Sequence, residues 1–225
     1  MRSAVLGSDG KLRARPRRPD RTLGPGRHAL GLEKGRDGLV RIPRDYRPEV
    51  AAPLVVMLHG AGSGAERGLR PFESLADEHG LVLLAPDSRR ASWDLRYGGY
   101  GADVSFIDRA LAWVFRHCAI DAARVAVAGF SDGASYALAL GITNGDLFRR
   151  IVAFSPGFLV ISQPAGTPAV YVSHGTDDRV LPIDRCSRLI VPKLREAGYA
   201  VEYKEFDGGH VVPPAIAAEA AAWLG

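Results

Sequence analysis

Gly129-Phe130-Ser131-Asp132-Gly133 sets a serine between two glycines, with a short β-branched run before it and a small, aliphatic run after it. Arg124 to Ala128 reads as a buried strand and Ala134 to Leu140 as a packed helix. A serine on a sharp strand-to-helix turn holds its hydroxyl above the sheet edge, and the strained backbone there calls for flanking glycines. The same turn aims a helix N-terminus at any negative charge that develops beside the hydroxyl. G-x-S-x-G is expected by chance roughly 0.17 times in a chain of this composition, so the flanking strand and helix give the match its weight. The plainer reading makes Ser131 a helix cap in a glycine-rich turn.

A serine hydroxyl attacks carbonyl carbon only when a base takes its proton, and that base must itself be oriented. The chain has six histidines. His28 lies in the N-terminal leader, and His79 and His117 sit at predicted helix ends, where a cation suits the helix dipole. His59 and His174 each precede a glycine at a strand end, where a buried, hydrogen-bonded role is the ordinary one. His210 follows Asp207-Gly208-Gly209 in a loop beyond the last strand, and it is the candidate base. With the order serine, acid, histidine, the acid falls in His174-Gly175-Thr176-Asp177-Asp178-Arg179-Val180-Leu181-Pro182. Asp178 is favoured there; Asp177 suits a turn, and Asp207 lies too close to His210. A tetrahedral intermediate needs preorganised N–H donors. The N–H of Asp132 supplies one, and the loop His59-Gly60-Ala61-Gly62 the other, with Ala61 preferred and Gly62 the fallback.

Strands alternating with helices must position these groups. Strands are expected at His28–Leu32, Gly38–Pro43, Pro53–Leu58, Leu81–Ala85, Arg124–Ala128, Ile151–Phe154, Ala169–Ser173 and Val201–Phe206. Helices are expected at Phe72–His79, Asp103–His117, Ala134–Leu140, Ile183–Ala197 and Ala215–Trp223. That alternation predicts an α/β fold with a mostly parallel central sheet and helices on both faces. Function then falls beyond the carboxyl ends of the strands. No internal repeat or composition break divides residues 26–225, which read as one domain. Residues 1–25 read as a basic, flexible arm. Two long loops, Ser88–Gly101 and Ser155–Pro168, flank the catalytic side. Trp93, Tyr97, Tyr100, Phe158, Leu159 and the fallback donor Gly62 are candidates to line a substrate pocket, though the aromatic ones could equally cover the core edge.

Composition excludes several classes. Hydrophobic residues make up 47% of the chain, yet no apolar run of about 18 residues exists, so membrane insertion is not expected. The first residues lack the long apolar stretch of a secretory signal, and a cytoplasmic location is the expectation. Cys118 and Cys186, two widely spaced thiols, make neither a disulfide framework nor a metal site. Residues 1–50 carry a net charge of +7 and the remainder −3, within a total of +4. The basic leader lacks interleaved aromatics and a recognition helix, so nucleic-acid binding is not expected. No cofactor is needed for the chemistry above, and the expected partner is a small ester, bound by a monomer or homodimer.

His59-Gly60-Ala61-Gly62, Gly129-Phe130-Ser131-Asp132-Gly133, His174-Gly175-Thr176-Asp177-Asp178 and Gly209-His210 together resemble the four signatures of the α/β-hydrolase superfamily. They are most similar to its phospholipase/carboxylesterase branch and to polyhydroxybutyrate-depolymerase and feruloyl-esterase-like proteins. Asp103-Val104-Ser105-Phe106-Ile107 is also similar to the depolymerase-like branch, and the resemblance covers roughly residues 28–225. It implies an α/β-hydrolase fold, Ser131 as nucleophile, His210 as base, Asp178 as acid, and the N–H groups of Ala61 and Asp132 as oxyanion hole. As a departure from the family, the chain leaves little room for a large lid, so a minimal lid or none is expected. The implied activity is cleavage of small carboxylic esters through an acyl-enzyme. Rival readings are an acyl thioesterase or lysophospholipase, a feruloyl or short-polyester esterase, and a catalytically silent binding protein.

Overall fold

The computed structural model describes residues 9–225; residues 1–8 of the expected arm lie outside the described residues. Its centre is β3 (Ala52–Leu58), a continuous apolar run. Leu54, Val56 and Leu58 point into one hydrophobic cluster and Val55 and Met57 into a second, on the opposite face. A strand buried on both faces has no need of alternating polarity, which is why this one reads as an unbroken apolar string. Around it lie β1 (Gly26–Ala29), β2 (Gly38–Ile42), β4 (Val82–Pro86), β5 (Ile120–Phe130), β6 (Arg150–Phe154), β7 (Ala169–Gly175) and β8 (Val201–Phe206). The eight strands pair in the order β1-β2-β4-β3-β5-β6-β7-β8. The pairs β1/β2 and β2/β4 are antiparallel, and the rest of the sheet is parallel.

Helices cover both faces. Apolar side chains of α2 (Ala102–His117), α3 (Asp132–Thr143) and α4 (Ser187–Glu196) fill the first cluster; those of α1 (Ala65–Glu73) and α5 (Pro214–Trp223) fill the second. Every residue of α3 is buried. Its small residues let it lie close on the sheet: a Cβ on Gly141 would come within 2.5 Å of Ile151.

The structure corrects several boundaries. The helix expected at Phe72–His79 instead spans Ala65–Glu73, and residues 74–80 form turns. Pro71, which has no N–H to donate, lies inside this helix. The start at Ala65 is set by a group remote in sequence: Asp87, just after β4, accepts the Ala65 N–H at 2.6 Å. Strand β5 begins at Ile120 rather than Arg124, through Asp121, Ala122 and Ala123, residues of low strand propensity. The helix expected over Ile183–Ala197 is divided at Cys186, between a single 3₁₀ turn and α4. Among the described residues, no helix is long and apolar enough to cross a membrane.

The arm expected to be flexible is seated on the body over residues 9–25. Leu12 is 2% exposed and joins the core cluster. Its N–H donates to Asn144 Oδ1 at 2.8 Å, and Asn144 Nδ2 donates to Gly10 O at 2.8 Å. The N–H groups of Arg13 and Ala14 both donate to Asp108 Oδ1, at 2.6 and 2.8 Å. Arg15 pairs with Asp146, and the N–H groups of Asp20 and Arg21 cap Arg116 O. Charge density alone suggests solvation; the paired partners, more than 90 residues away, are what hold this segment down. Leu12→Ala is therefore expected to cost about 2–4 kcal/mol, measured as a drop in the urea midpoint. A midpoint equal to wild type would mean that burial of the Leu12 side chain contributes nothing to stability.

Candidate active site

Ser131 stands at the β5–α3 junction with φ 59° and ψ −123°, a left-handed backbone that costs an ordinary residue about 1–3 kcal/mol. The turn is held by the Ser131 N–H on Phe154 O at 2.9 Å and by the Ala134 N–H on Ser131 O at 2.9 Å. Both flanking glycines are required by close approach. A Cβ on Gly129 would fall 2.2 Å from Gly133 O, and a Cβ on Gly133 would fall 2.2 Å from Leu58 O. Gly133 thus lets α3 press against the end of β3. Gly133→Ala should destabilise the fold by about 3 kcal/mol, the upper part of the range for overpacking against groups that cannot yield. An unchanged urea midpoint in that variant would show that the junction has slack.

Three side chains from distant parts of the chain meet at this turn. Ser131 Oγ lies 2.9 Å from His210 Nε2, and His210 Nδ1 lies 2.6 Å from Asp178 Oδ2. Asp178 Oδ1 accepts the N–H groups of Val180 and Leu181 at 2.9 and 2.8 Å. Burial pushes the Asp178 carboxyl up, but the hydrogen bonds from Leu181, His210 and Val180 outweigh it and hold the group below the usual carboxylate range. A carboxylate on Nδ1 fixes the proton there, so Nε2 offers its lone pair to the Ser131 hydroxyl. The Phe130 ring packs 4.7 Å from the imidazole and limits its tilt. Gly175 at the end of β7 makes room for this loop, since a Cβ there would lie 2.3 Å from Gly208 O. Asp177 and Asp207 are exposed, and among the described residues the imidazoles of His210 and His174 approach Asp178 instead; the Asp177 backbone N–H donates to Gly208 O.

The imidazoles of His28, His59, His117 and His174 are engaged elsewhere. His59 Nδ1 donates to Gly60 O at 2.8 Å, and its Nε2 accepts the Ser88 N–H at 3.0 Å. Burial lowers its pKa, which keeps it neutral. His28 contacts Gly24 O, and His117 contacts Trp113 O. His174 carries a role that the sequence does not reveal. It is buried behind Asp178, with Nε2–H donating to Leu181 O at 2.8 Å and lying 3.2 Å from Asp178 Oδ2. Its Nδ1 faces Ser187 Oγ at 2.6 Å, and burial lowers its pKa. The carboxylate thus lies between two imidazoles, hydrogen-bonded to His210 and 3.2 Å from His174 Nε2. A His-Gly pair at a strand end is the visible sign, but only the fold brings Ser187 under it.

The N–H of Asp132, at the first position of α3, has no acceptor within the helix. The Asp132 side chain accepts Ser92 Oγ–H at 2.7 Å and Arg96 at 3.1 Å, which ties the 88–101 loop to the serine turn. The N–H of Gly62 is committed to Ala91 O at 2.6 Å; Ala61 lies exposed beside it on the cleft wall.

A cleft of about 750 Å³ opens over Ser131 and His210, lined by Met57, Phe130, Val180, Val211 and Val212 among others. This volume suits a small ligand. None of the expected pocket residues, Gly62, Trp93, Tyr97, Tyr100, Phe158 and Leu159, lines it. Trp93 is buried between His59 and Tyr136, with Nε1–H on His59 O at 2.8 Å. Tyr100 packs edge-on against Tyr136 and contacts Thr143 Oγ1, whereas Tyr97 is exposed beneath Arg90. Phe158 bonds through its N–H to Ser135 Oγ, and Leu159 packs on the core. For the 88–101 loop the reason is local: Asp94 and Asp103 hydrogen-bond each other's backbone N–H groups and turn it inward.

The sequence profile of the Phospholipase/Carboxylesterase family matches residues 105–222, more than half of the chain. The chain belongs to the phospholipase/carboxylesterase family. As a member it is a carboxylic ester hydrolase. This family member also shares its fold with solved esterases. Esterase PE8 is 24% identical with a TM-score of 0.67, over 85% of this chain and 98% of that one. S-formylglutathione hydrolase (FrmB) from Staphylococcus aureus is 16% identical with a TM-score of 0.72, over 91% and 98%. The propionate-bound Est2 esterase of Thermogutta terrifontis is 21% identical with a TM-score of 0.64, over 89% and 92%. At these identities the likeness is one of fold. No curated protein matches the chain.

Proposed function

We propose that this phospholipase/carboxylesterase family member is a serine esterase that cleaves small carboxylic esters through an acyl-enzyme on Ser131. The hydrogen-bonded line Asp178–His210–Ser131 supports this reading above all else. An ester carbonyl seated in the cleft is attacked by Ser131 Oγ while His210 Nε2 takes the hydroxyl proton. Asp178 stabilises the resulting imidazolium and holds its orientation. Negative charge on the tetrahedral oxygen is met by the N–H of Asp132 and the N–H of Ala61. Gly62, its N–H spent on Ala91, is thereby the poorer alternative. Each such donor is worth about 3–4 kcal/mol of barrier. The imidazolium then passes its proton to the departing alkoxide, and a water activated by the same nitrogen releases the acid. The expected location remains the cytoplasm.

The test is covalent labelling. A fluorophosphonate probe should modify one residue, and peptide mass analysis should locate the adduct on Ser131. Turnover of p-nitrophenyl esters should peak at short acyl chains. An adduct on any other serine would refute the assignment. A rate that keeps climbing beyond about eight carbons would instead favour a lysophospholipase-like or thioesterase role.

A further inference from the structure

The cleft wall opposite the catalytic loop is α1, which begins directly after the loop carrying Ala61. Arg67 and Arg70, one turn apart on this helix, both line the cleft and are exposed. Neither side chain makes an ion pair or hydrogen bond with another described residue. This isolation is built in. Arg70 stands four residues after Glu66 and three before Glu73, spacings that ordinarily pair on a helix. Both carboxylates are drawn away to Arg27 on β1, which bonds Glu66 at 2.9 Å and grips Glu73 with two nitrogens. No aspartate or glutamate lines the cleft. Arg70 in the last turn of α1 also suits the helix dipole; Arg67, in the first turn, stands at the end where the dipole disfavours a cation.

We infer that the cleft selects esters that carry a second, anionic group, a carboxylate or similar oxyanion remote from the scissile bond, held by Arg67 and Arg70. The inference rests on the esterase reading above and gives its substrate class. Guanidinium groups free of competing carboxylates offer a forked pair of donors to a planar oxyanion. Apolar Val180, Val211 and Phe130 supply the rest of the surface for the body of the ester.

Matched substrates test it. The pair 4-acetoxybenzoate and 4-acetoxybenzamide places the charge on the alcohol side. The pair mono-4-nitrophenyl adipate and 4-nitrophenyl hexanoate places it on the acyl side. With each kcat/KM normalised to the alkaline hydrolysis rate, one pair should show a preference for the anion of roughly tenfold at low salt, the effect of two exposed charge pairs. The preference should shrink in 0.5 M NaCl, collapse in Arg67→Gln/Arg70→Gln, and persist in Arg67→Lys/Arg70→Lys. A ratio near one in both pairs, or the same ratio in wild type and the glutamine variant, overturns the inference. Neutral esters turned over normally with no anion preference would leave the esterase reading intact. Neutral esters no better hydrolysed than by Ser131→Ala would sink the esterase reading itself.

Discussion

Ser131→Ala should lower kcat for p-nitrophenyl acetate by a factor on the order of 10⁶, as when the nucleophile is removed from a serine protease. The loss should be chemical rather than structural. The Ser131 side chain makes its one described hydrogen bond to His210, and the turn is held by backbone groups that alanine retains. The urea midpoint of the variant should therefore stay close to wild type, which separates a missing nucleophile from a missing fold. No neighbouring serine can take over. Ser135 is buried, and its Oγ accepts the N–H groups of Gly157 and Phe158 at 2.9 and 3.2 Å. A folded Ser131→Ala protein with wild-type turnover would remove the acyl-enzyme mechanism altogether.

Asp178→Asn should cost roughly 10⁴ in kcat, the effect seen when the acid of a serine protease is made neutral with its geometry kept. An amide in this position keeps one carbonyl oxygen. If that oxygen stays on the Val180 and Leu181 N–H groups, an NH₂ faces His210 Nδ1. The imidazole must then move its proton to Nε2 and point a donor at Ser131. The same NH₂ would face His174 Nε2–H, 3.2 Å from the present carboxylate oxygen, so some stability is lost as well. Asp177→Asn is the matched control: that side chain is exposed, and its turn is made by the backbone N–H on Gly208 O. It should stay within about twofold of wild type, as surface substitutions do. A healthy Asp178→Asn beside a crippled Asp177→Asn would exchange the two roles.

The sheet was legible because its strands are buried on both faces. Runs such as Val82 to Ala85 and Ile151 to Phe154 have no other use for so many adjacent apolar residues. The serine turn was legible because its two glycines bracket the serine in one short motif and Gly129 is dictated within it, by Gly133 O, although Gly133 itself answers to Leu58 O on β3. The start of α1 was not, since the group that receives its first N–H is Asp87, beyond the end of β4 and 22 residues further on. The pocket was misread for a similar reason. Aromatic residues on a long loop can face a cleft or the core, and the mutual bracketing of Asp94 and Asp103 chooses the core for Trp93. His174 was visible as a buried histidine but not as a second imidazole beside Asp178, because Ser187 and Leu181 come to it only through the turn after β7.

The N-terminal segment that docks on α2 and α3 has a consequence for biogenesis. Leu12 leaves the ribosome early, yet the asparagine that receives its amide is encoded 132 residues later. The strap must wait, solvated, until most of the sheet has been synthesised. A contact of such long range carries a large loop-closure cost and is expected to form late. Until then the nascent chain leaves the Leu12 site on its core uncovered, and a chaperone that shields apolar surface would find its opening there.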